Sequence, residues 1–437
     1  MRVTPDDVAS DMSDENNRIL IAGAGIAGLT AALAFAGRGF NVSVFEQATE
    51  LVEIGAGLQL SPNATRILQR LGVLDDIRRV AVQPEAVVLK HARDDSEIAR
   101  VPLGEAALKR WGAPYLVCHR ADLQRALLDA ARTNPLIDIT TGARVSDFDL
   151  APPRLTIERD AETQTIAGRL VVAAEGVWSA VRAHGGQKGQ SRFIGQVAWR
   201  RTLSEDDPLR HLIPDQTVVN AFLSSGFHLI AYPMRGGAET NLVAFTKYRR
   251  ELPAEWTTKL DMGPLREAFA RNAPALASLA DDAESWAAYP IHVADLDGGW
   301  SDPSGLALIG DAAHAMTPFA AQGAAMAIED AWTLAAAVGA SSTDMPIARQ
   351  LDQPGGKSSG HAADDHPDRL GAALTTWTIA RRRRVLRVAR RGALNEFAWH
   401  AGGPIAIARN LFLNWRGPDR LAADLDWLYG WGSDSAE

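Results

Sequence analysis

A set of glycines and three carboxylates carry the most specific chemistry in the chain. Gly23, Gly25 and Gly28 stand in GAGIAG after the apolar run Ile19 to Ala22, and Glu46 closes a second apolar run, 18 residues beyond Gly28. The three glycines do different things: Gly23 permits a tight turn, Gly25 lets a pyrophosphate approach the backbone, and Gly28 lets a helix pack closely on the sheet. Glu46 is placed to accept hydrogen bonds from an adenosine ribose, which favours a dinucleotide with an unphosphorylated 2′-hydroxyl, FAD or NAD. Asp311, in the turn after Leu306 to Ile309, is a second carboxylate at a strand end. Beyond it, Gly323, Ala324 and Ala325 leave room for a flat ring against a helix N-terminus. Glu175 is the third, closing the short run Leu170 to Ala174.

Positioning these residues takes a strand, a turn and a helix at each place. The run Ile19 to Ala22 reads as a buried strand, followed by an Ala- and Leu-rich helix to about Gly37 and a strand from Asn41 to Phe45. Gly55 to Asn63 reads as a glycine-rich loop before a helix from Ala64 to about Leu71. Cys118 to Leu123 opens another helix, running to about Ala131, whose first turn carries Arg120. Arg120 can meet a phosphate there, although such an arginine is more often solvated. The spacing of the three strand ends fits one domain assembled from separated pieces of chain. Between the second and third of them, Phe193–Thr202, Thr217–Phe222, Phe227–Pro233 and Asn241–Thr246 read as strands of an antiparallel sheet. His228 and Tyr232 stand four apart in FHLIAYP, so on a strand they share a face.

Composition narrows the function classes. The chain has 437 residues, 46% hydrophobic and 22% charged, enough for two domains with substantial cores. A net charge of −8 argues against nucleic acid, and the basic run Arg381 to Arg384 reads as a solvated helix face. Docking of an acidic nucleotide or a partner subunit is the other use such a run has. Cys118 is the one cysteine, which rules out an intramolecular disulfide and a cysteine metal cluster. No apolar run is long enough for a bilayer, no signal peptide is legible, and a cytoplasmic location is expected.

Taken together, the ordered motifs Gly23–Gly28, Glu175-Gly176 and Gly310-Asp311 resemble those of the flavoprotein aromatic hydroxylases, single-component FAD-dependent monooxygenases. The similarity runs from about Arg18 to Gly432, and the closing Asp426-Trp427-Leu428-Tyr429-Gly430 is similar to the end of the salicylate hydroxylase branch. The resemblance implies an α/β protein with a Rossmann-like FAD-binding domain built from discontinuous segments, an antiparallel β-sheet substrate domain and a C-terminal helical region. The corresponding boundaries are 1–17 for a disordered tail, 18–190 and 296–340 for the FAD-binding domain, and 191–295 for the substrate domain. The stretch 341–369 is expected to be a mobile insertion, and 370–437 the helical region.

The resemblance also implies roles at matching positions. Gly23, Gly25, Ala27, Gly28, Glu46 and Gln47 would hold the adenosine and pyrophosphate half of FAD, with Arg120 also at the cofactor. Asp311 would bind the ribityl or pyrophosphate region, and Gly323 and Ala324 would face the pyrimidine edge of the flavin. NADH or NADPH would reduce the flavin, O2 would react to give a C4a-hydroperoxide, and a small phenolic or carboxylated aromatic would be hydroxylated. Monomer and homodimer are both compatible, with no metal, membrane or nucleic-acid partner. His228 and Tyr232 match residues that lie at the substrate in the 6-hydroxynicotinate branch and are the expected catalytic pair, a base being needed to remove a phenolic proton. Arg200 is a weak candidate partner for a substrate carboxylate, and His314 is expected to be structural. Two positions depart from the pattern: Glu175 replaces the usual aspartate, and Gln59 stands where that branch has a histidine. A flavin monooxygenase acting on a larger natural product, by epoxidation or hydroxylation, and a flavin-binding protein without efficient turnover are the alternatives.

Overall fold

The computed structural model describes residues 15, 17–51, 57–184, 191–248, 260–282, 285–341 and 367–432. Most of the expected tail at 1–17, most of the expected insertion at 341–369, and Gly55 and Ala56 lie outside them. The chain forms a mixed α/β structure with two principal sheets.

The first sheet is parallel. Its strands are β1 (Arg18–Ala22), β2 (Asn41–Glu46), β7 (Ile137–Thr141), β8 (Leu170–Ala173) and β14 (Leu306–Leu308), in spatial order β14-β8-β1-β2-β7, with the short antiparallel pair Ser301–Asp302 at one edge. β1, β8 and β14 are apolar because the sheet is buried, with α1 and a three-stranded antiparallel sheet (Arg144–Leu150, Pro153–Arg159 and Glu162–Ala167) both packed on it. Helix α1 (Ile26–Ala36) is Ala- and Leu-rich and buried nearly all round, packed between this sheet and α3 (Gly323–Ser341). Five chain segments widely separated in sequence thus end at one edge.

The second sheet has seven strands. Between the outer β13 (Ala287–Val293) and the pair β4 (Ala86–His91) and β5 (Glu97–Pro102) lie β9 (Arg192–Ser204), β12 (Glu239–Lys247), β11 (Phe227–Met234) and β10 (Val219–Ser224). The sequence reading expects an antiparallel sheet here. The four central strands are antiparallel, but β4 joins β10 in parallel and makes the sheet mixed. An early segment therefore supplies the hydrogen bonds that the edge of β10 would leave unpaired.

All eight residues of β11 are buried because both faces carry cores. Ile230, Tyr232 and Met234 join the large core shared with the parallel sheet, while Phe227, Leu229 and Ala231 join a smaller one with Trp199 and Phe269. Two local expectations are corrected. Gly57–Leu60 is not loop but strand β3, paired antiparallel with β6 (Leu116–His119), and the helix after it starts at Pro62, whose missing N–H and fixed φ suit a first helical position. Likewise Cys118 and His119 end a strand, and helix α2 spans Arg120–Arg132. Helices α4 (Pro367–Trp399) and α5 (Gly403–Ala423) complete the molecule, followed by the turn Asp426–Tyr429.

Candidate functional site

At the carboxyl end of β1, Gly23 has φ +100° and donates to Phe45 O at 2.8 Å, and a Cβ there would lie 2.7 Å from Ala174 O. A Cβ on Gly28 would stand 1.9 Å from Gly23 O, so that position excludes any side chain. Gly25 is different: a Cβ there would meet nothing within 4 Å. It caps α1 without a side-chain hydrogen bond, and the first turn of α1 carries no acid. The N–H groups of that turn therefore face open space with a positive helix end behind them, which is what a pyrophosphate needs. Ala27 packs against the turn at Gly310, whose added Cβ would be 3.1 Å from Ala27 Cβ.

Glu46, at the end of β2, accepts from Ala24 N (2.8 Å) and Ala48 N (2.9 Å), so its carboxylate shapes the glycine turn. Gln47 follows it, exposed. Arg120 is the exposed first residue of α2, beside His119, whose Nδ1 accepts from Ala121 N. Sequence reasoning missed Gln124, which is buried and donates to Ala24 O at 3.2 Å. A polar residue on the apolar face with Leu123, Leu127 and Ala131 was the available signal.

The second half of the site lies after β14. Gly310 has φ +59° and its N–H donates to Asp330 Oδ2 at 3.0 Å; Asp311 is exposed beside it. Gly323 begins α3 with no acid in the first turn and nothing within 4 Å of an added Cβ, and Ala324 is half-buried next to it. Behind this turn runs a buried polar network. Gln322 donates to Ser61 Oγ (2.9 Å), Asn63 donates to Glu329 Oε1 (2.7 Å), and Arg381 donates to Glu329 Oε2 (2.8 Å) and Asp330 Oδ1 (2.7 Å). His314 Nε2 pairs with Asp330 Oδ2, in keeping with a structural role. Burial works to raise the Asp330 carboxyl, and it is overcome by His314, Arg381 and the Gly310 N–H, which hold it below its ordinary value. The reading of Arg381–Arg384 as a solvated face is thereby corrected: Arg381 is 2% exposed, and Arg384 also binds Glu329. Four arginines in a row look solvated in one dimension; only packing on α3 reveals the two buried carboxylates beneath.

Glu175 turns its carboxylate to Ser179 Oγ (2.6 Å) and Val181 N (3.3 Å), capping the short helix at Ala180. Arg182 then donates to Ala312 O (3.3 Å) and Asp295 O (3.0 Å), tying this motif to the Asp311 turn.

Across from these turns stands β11. Tyr232 lies against β3: a Cβ on Gly57 would be 2.6 Å from its Cε2, and Gly57 N donates to Asn241 Oδ1 at 3.0 Å. Arg200, Val243 and Ile230 form one cross-strand row beside Tyr232, which puts Arg200 on the same face; its guanidinium sits 4.9 Å from the Tyr289 ring centroid. Burial pushes the Tyr232 phenol up, only partly opposed by Arg200, so it stays protonated. His228, on the same face, stacks on Phe245 with centroids 4.3 Å apart, and burial, with His400, holds it well below the ordinary histidine value. Gln59 accepts from Tyr115 OH and is thereby held in place.

The residues present fit FAD: Gly25 leaves open space at a helix N-terminus, Glu46 puts a carboxylate beside the glycine turn, and the Gly323 turn is open to a flat ring. Fold and site together define a nucleotide-binding flavoprotein with a face of buried Tyr232 and His228 and half-buried Arg200. Residues 16–353 match the family described as FAD binding domain, and the chain belongs to that family. It is 33% identical over 417 residues to 3-hydroxybenzoate 6-hydroxylase of Polaromonas naphthalenivorans (strain CJ2), covering 94% of this chain and 96% of that protein. Over 316 residues it is 31% identical to 6-hydroxynicotinate 3-monooxygenase of Bordetella bronchiseptica (strain ATCC BAA-588 / NCTC 13252 / RB50), covering 72% and 80%. A salicylate hydroxylase substrate complex superposes with a TM-score of 0.72 at 22% identity, covering 96% of each chain. The protein is a flavoprotein monooxygenase that takes FAD.

Proposed function

We propose that the protein hydroxylates a small aromatic bearing a phenolic hydroxyl or a carboxylate, using one O2 and one NADH or NADPH and releasing water. In this reading the parallel sheet, with α1 and α3, is a Rossmann-like FAD-binding domain assembled from discontinuous segments, and the seven-stranded sheet carries the substrate. Gly23, Gly25, Ala27, Gly28, Glu46, Gln47 and Arg120 hold the adenosine and pyrophosphate half. Asp311, Gly323 and Ala324 take the ribityl chain and ring edge. FAD, when bound, supplies the redox and oxygen-activating chemistry.

This chain's own residues supply the rest. The buried face of β11 excludes water from the substrate ring. Tyr232, kept protonated, donates to a substrate oxygen, and Arg200 on the same face attracts a carboxylate. His228, kept neutral, accepts the phenolic proton, which makes the ring more electron-rich and easier to attack. The observation that carries this reading is the face of buried Tyr232 and His228 with half-buried Arg200, opposite the glycine turns.

The test measures NADH and NADPH oxidation by the FAD-loaded protein in air, with and without a panel of hydroxybenzoates, together with hydroxylated product. Stimulated oxidation with matching product is the expected result. If only polycyclic substrates elicit product, the natural-product alternative replaces this one; if none does and the bound flavin is not reduced, turnover is impaired, with Glu175 the first suspect.

A further inference from the structure

His228 is 0% exposed, yet its Nε2 has no hydrogen-bond partner. Buried polar atoms are nearly always paired, so an orphan in apolar surroundings marks a place where another group binds. The plane of the ring is held: it stacks on Phe245 and meets the edges of Trp399 and Phe319 at centroid distances of 5.2 and 5.5 Å. Phe319 belongs to the loop that leads into α3, which places His228 beside the expected ring site. The other nitrogen, Nδ1, lies 2.7 Å from His400 Nε2. His400 directly follows α4 and is half-buried, and its backbone is held by Glu396 O and Gly226 N.

We propose that His228 and His400 form a two-histidine relay that carries the phenolic proton of a bound hydroxyaromatic from the buried face to solvent at the end of α4. The inference rests on the hydroxylase reading above and adds His400, which no motif marks. With the shared proton on His228 Nδ1, Nε2 is an acceptor. The phenolic O–H bond breaks as Nε2–H forms, the Nδ1–H bond breaks as His400 Nε2–H forms, and His400 then loses its Nδ1 proton to water. The phenolate stays, both imidazoles return to neutral, and one proton is released. Phe245, Phe319 and Trp399 around the first ring are uncharged, and the Lys247 ammonium acts on the second. Burial, then Lys247, pushes His400 down to about 4, so the pair passes a proton on and does not store it.

The experiment uses FAD-loaded protein and a nitro-substituted hydroxybenzoate, whose phenolate absorbs in the visible, mixed in a stopped-flow instrument below the pH at which the free phenol ionises. Phenolate appearance is followed in the native protein, His400→Phe and His400→Gln. Glutamine can accept the Nδ1 hydrogen bond and orient His228, but it cannot move a proton. Both variants are expected to ionise the bound phenol about 100-fold more slowly. A His400→Gln variant at the native rate would show that His400 only orients its neighbour and would overturn the relay. No phenolate in the native protein, with the compound bound, would refute His228 as acceptor and the relay with it. Failure of any hydroxybenzoate to bind would instead remove the substrate class on which both rest.

Discussion

Burial acts in opposite directions on the two polar side chains that share a face of β11. It keeps the Tyr232 hydroxyl protonated and His228 neutral, so one is a donor and the other an acceptor. Tyr232→Phe is therefore expected to weaken substrate binding by about 1.5–3 kcal/mol, the loss of a hydrogen bond to a charged oxygen, with the pH profile of hydroxylation unchanged. A moved profile would make Tyr232 the base. His400 bears on stability as well. Its folded value is near 4 against an ordinary 6.5, so between those values the unfolded chain binds more protons than the folded one. Its contribution is present above about pH 6.5 and is lost as pH falls towards 4. Thermal unfolding across that window should show a smaller acid loss in His400→Phe than in the native protein.

Among the elements, α1 carries two glycines in its N-terminal turn whose environments differ in a testable way. Gly25→Ala meets no protein atom, so the apoprotein should unfold at the native temperature while FAD binds more weakly, the methyl entering the space left for the pyrophosphate. Gly28→Ala drives a Cβ into Gly23 O and should lower both stability and flavin retention. Calorimetry and flavin fluorescence titration separate the two. Behind α3, Arg381 neutralises Glu329 and Asp330, both buried. Arg381→Met leaves two carboxylates without that partner and is expected to cost about 3–5 kcal/mol in urea unfolding. A loss below about 1 kcal/mol would mean that Arg384 and His314 suffice.

For the molecule as a whole, the critical contact is the seat of the seven-stranded sheet on the nucleotide side, where Gly57 lies under Tyr232 and Met234. A Cβ at Gly57 would come within 2.6 Å of Tyr232 and 2.7 Å of Met234 Sδ, so Gly57→Ala should impair substrate binding more than FAD binding. Equal losses in the two titrations would count against that seat as the substrate side. The closing turn is tied in nearby: Asp426 accepts from Arg110 and Trp111 Nε1, and Tyr429 touches Tyr115, the partner of Gln59. Much of this organisation is local and was legible in one dimension. A strand, a glycine turn and a helix follow from residues a few positions apart, so the turns at Gly23, Gly310 and Gly323 and the shared face of His228 and Tyr232 could be read directly. Pairing between distant segments could not. Only folding brought β4 against β10, laid Arg381 over Glu329 and Asp330, seated Gln124 under Ala24, and set His400 2.7 Å from His228. The sequence alone determined the glycine turns and the helices that follow them, because backbone conformation is set by near neighbours. Tertiary structure decided which polar groups are buried and what they face, because burial and pairing depend on segments 51 to 172 residues away.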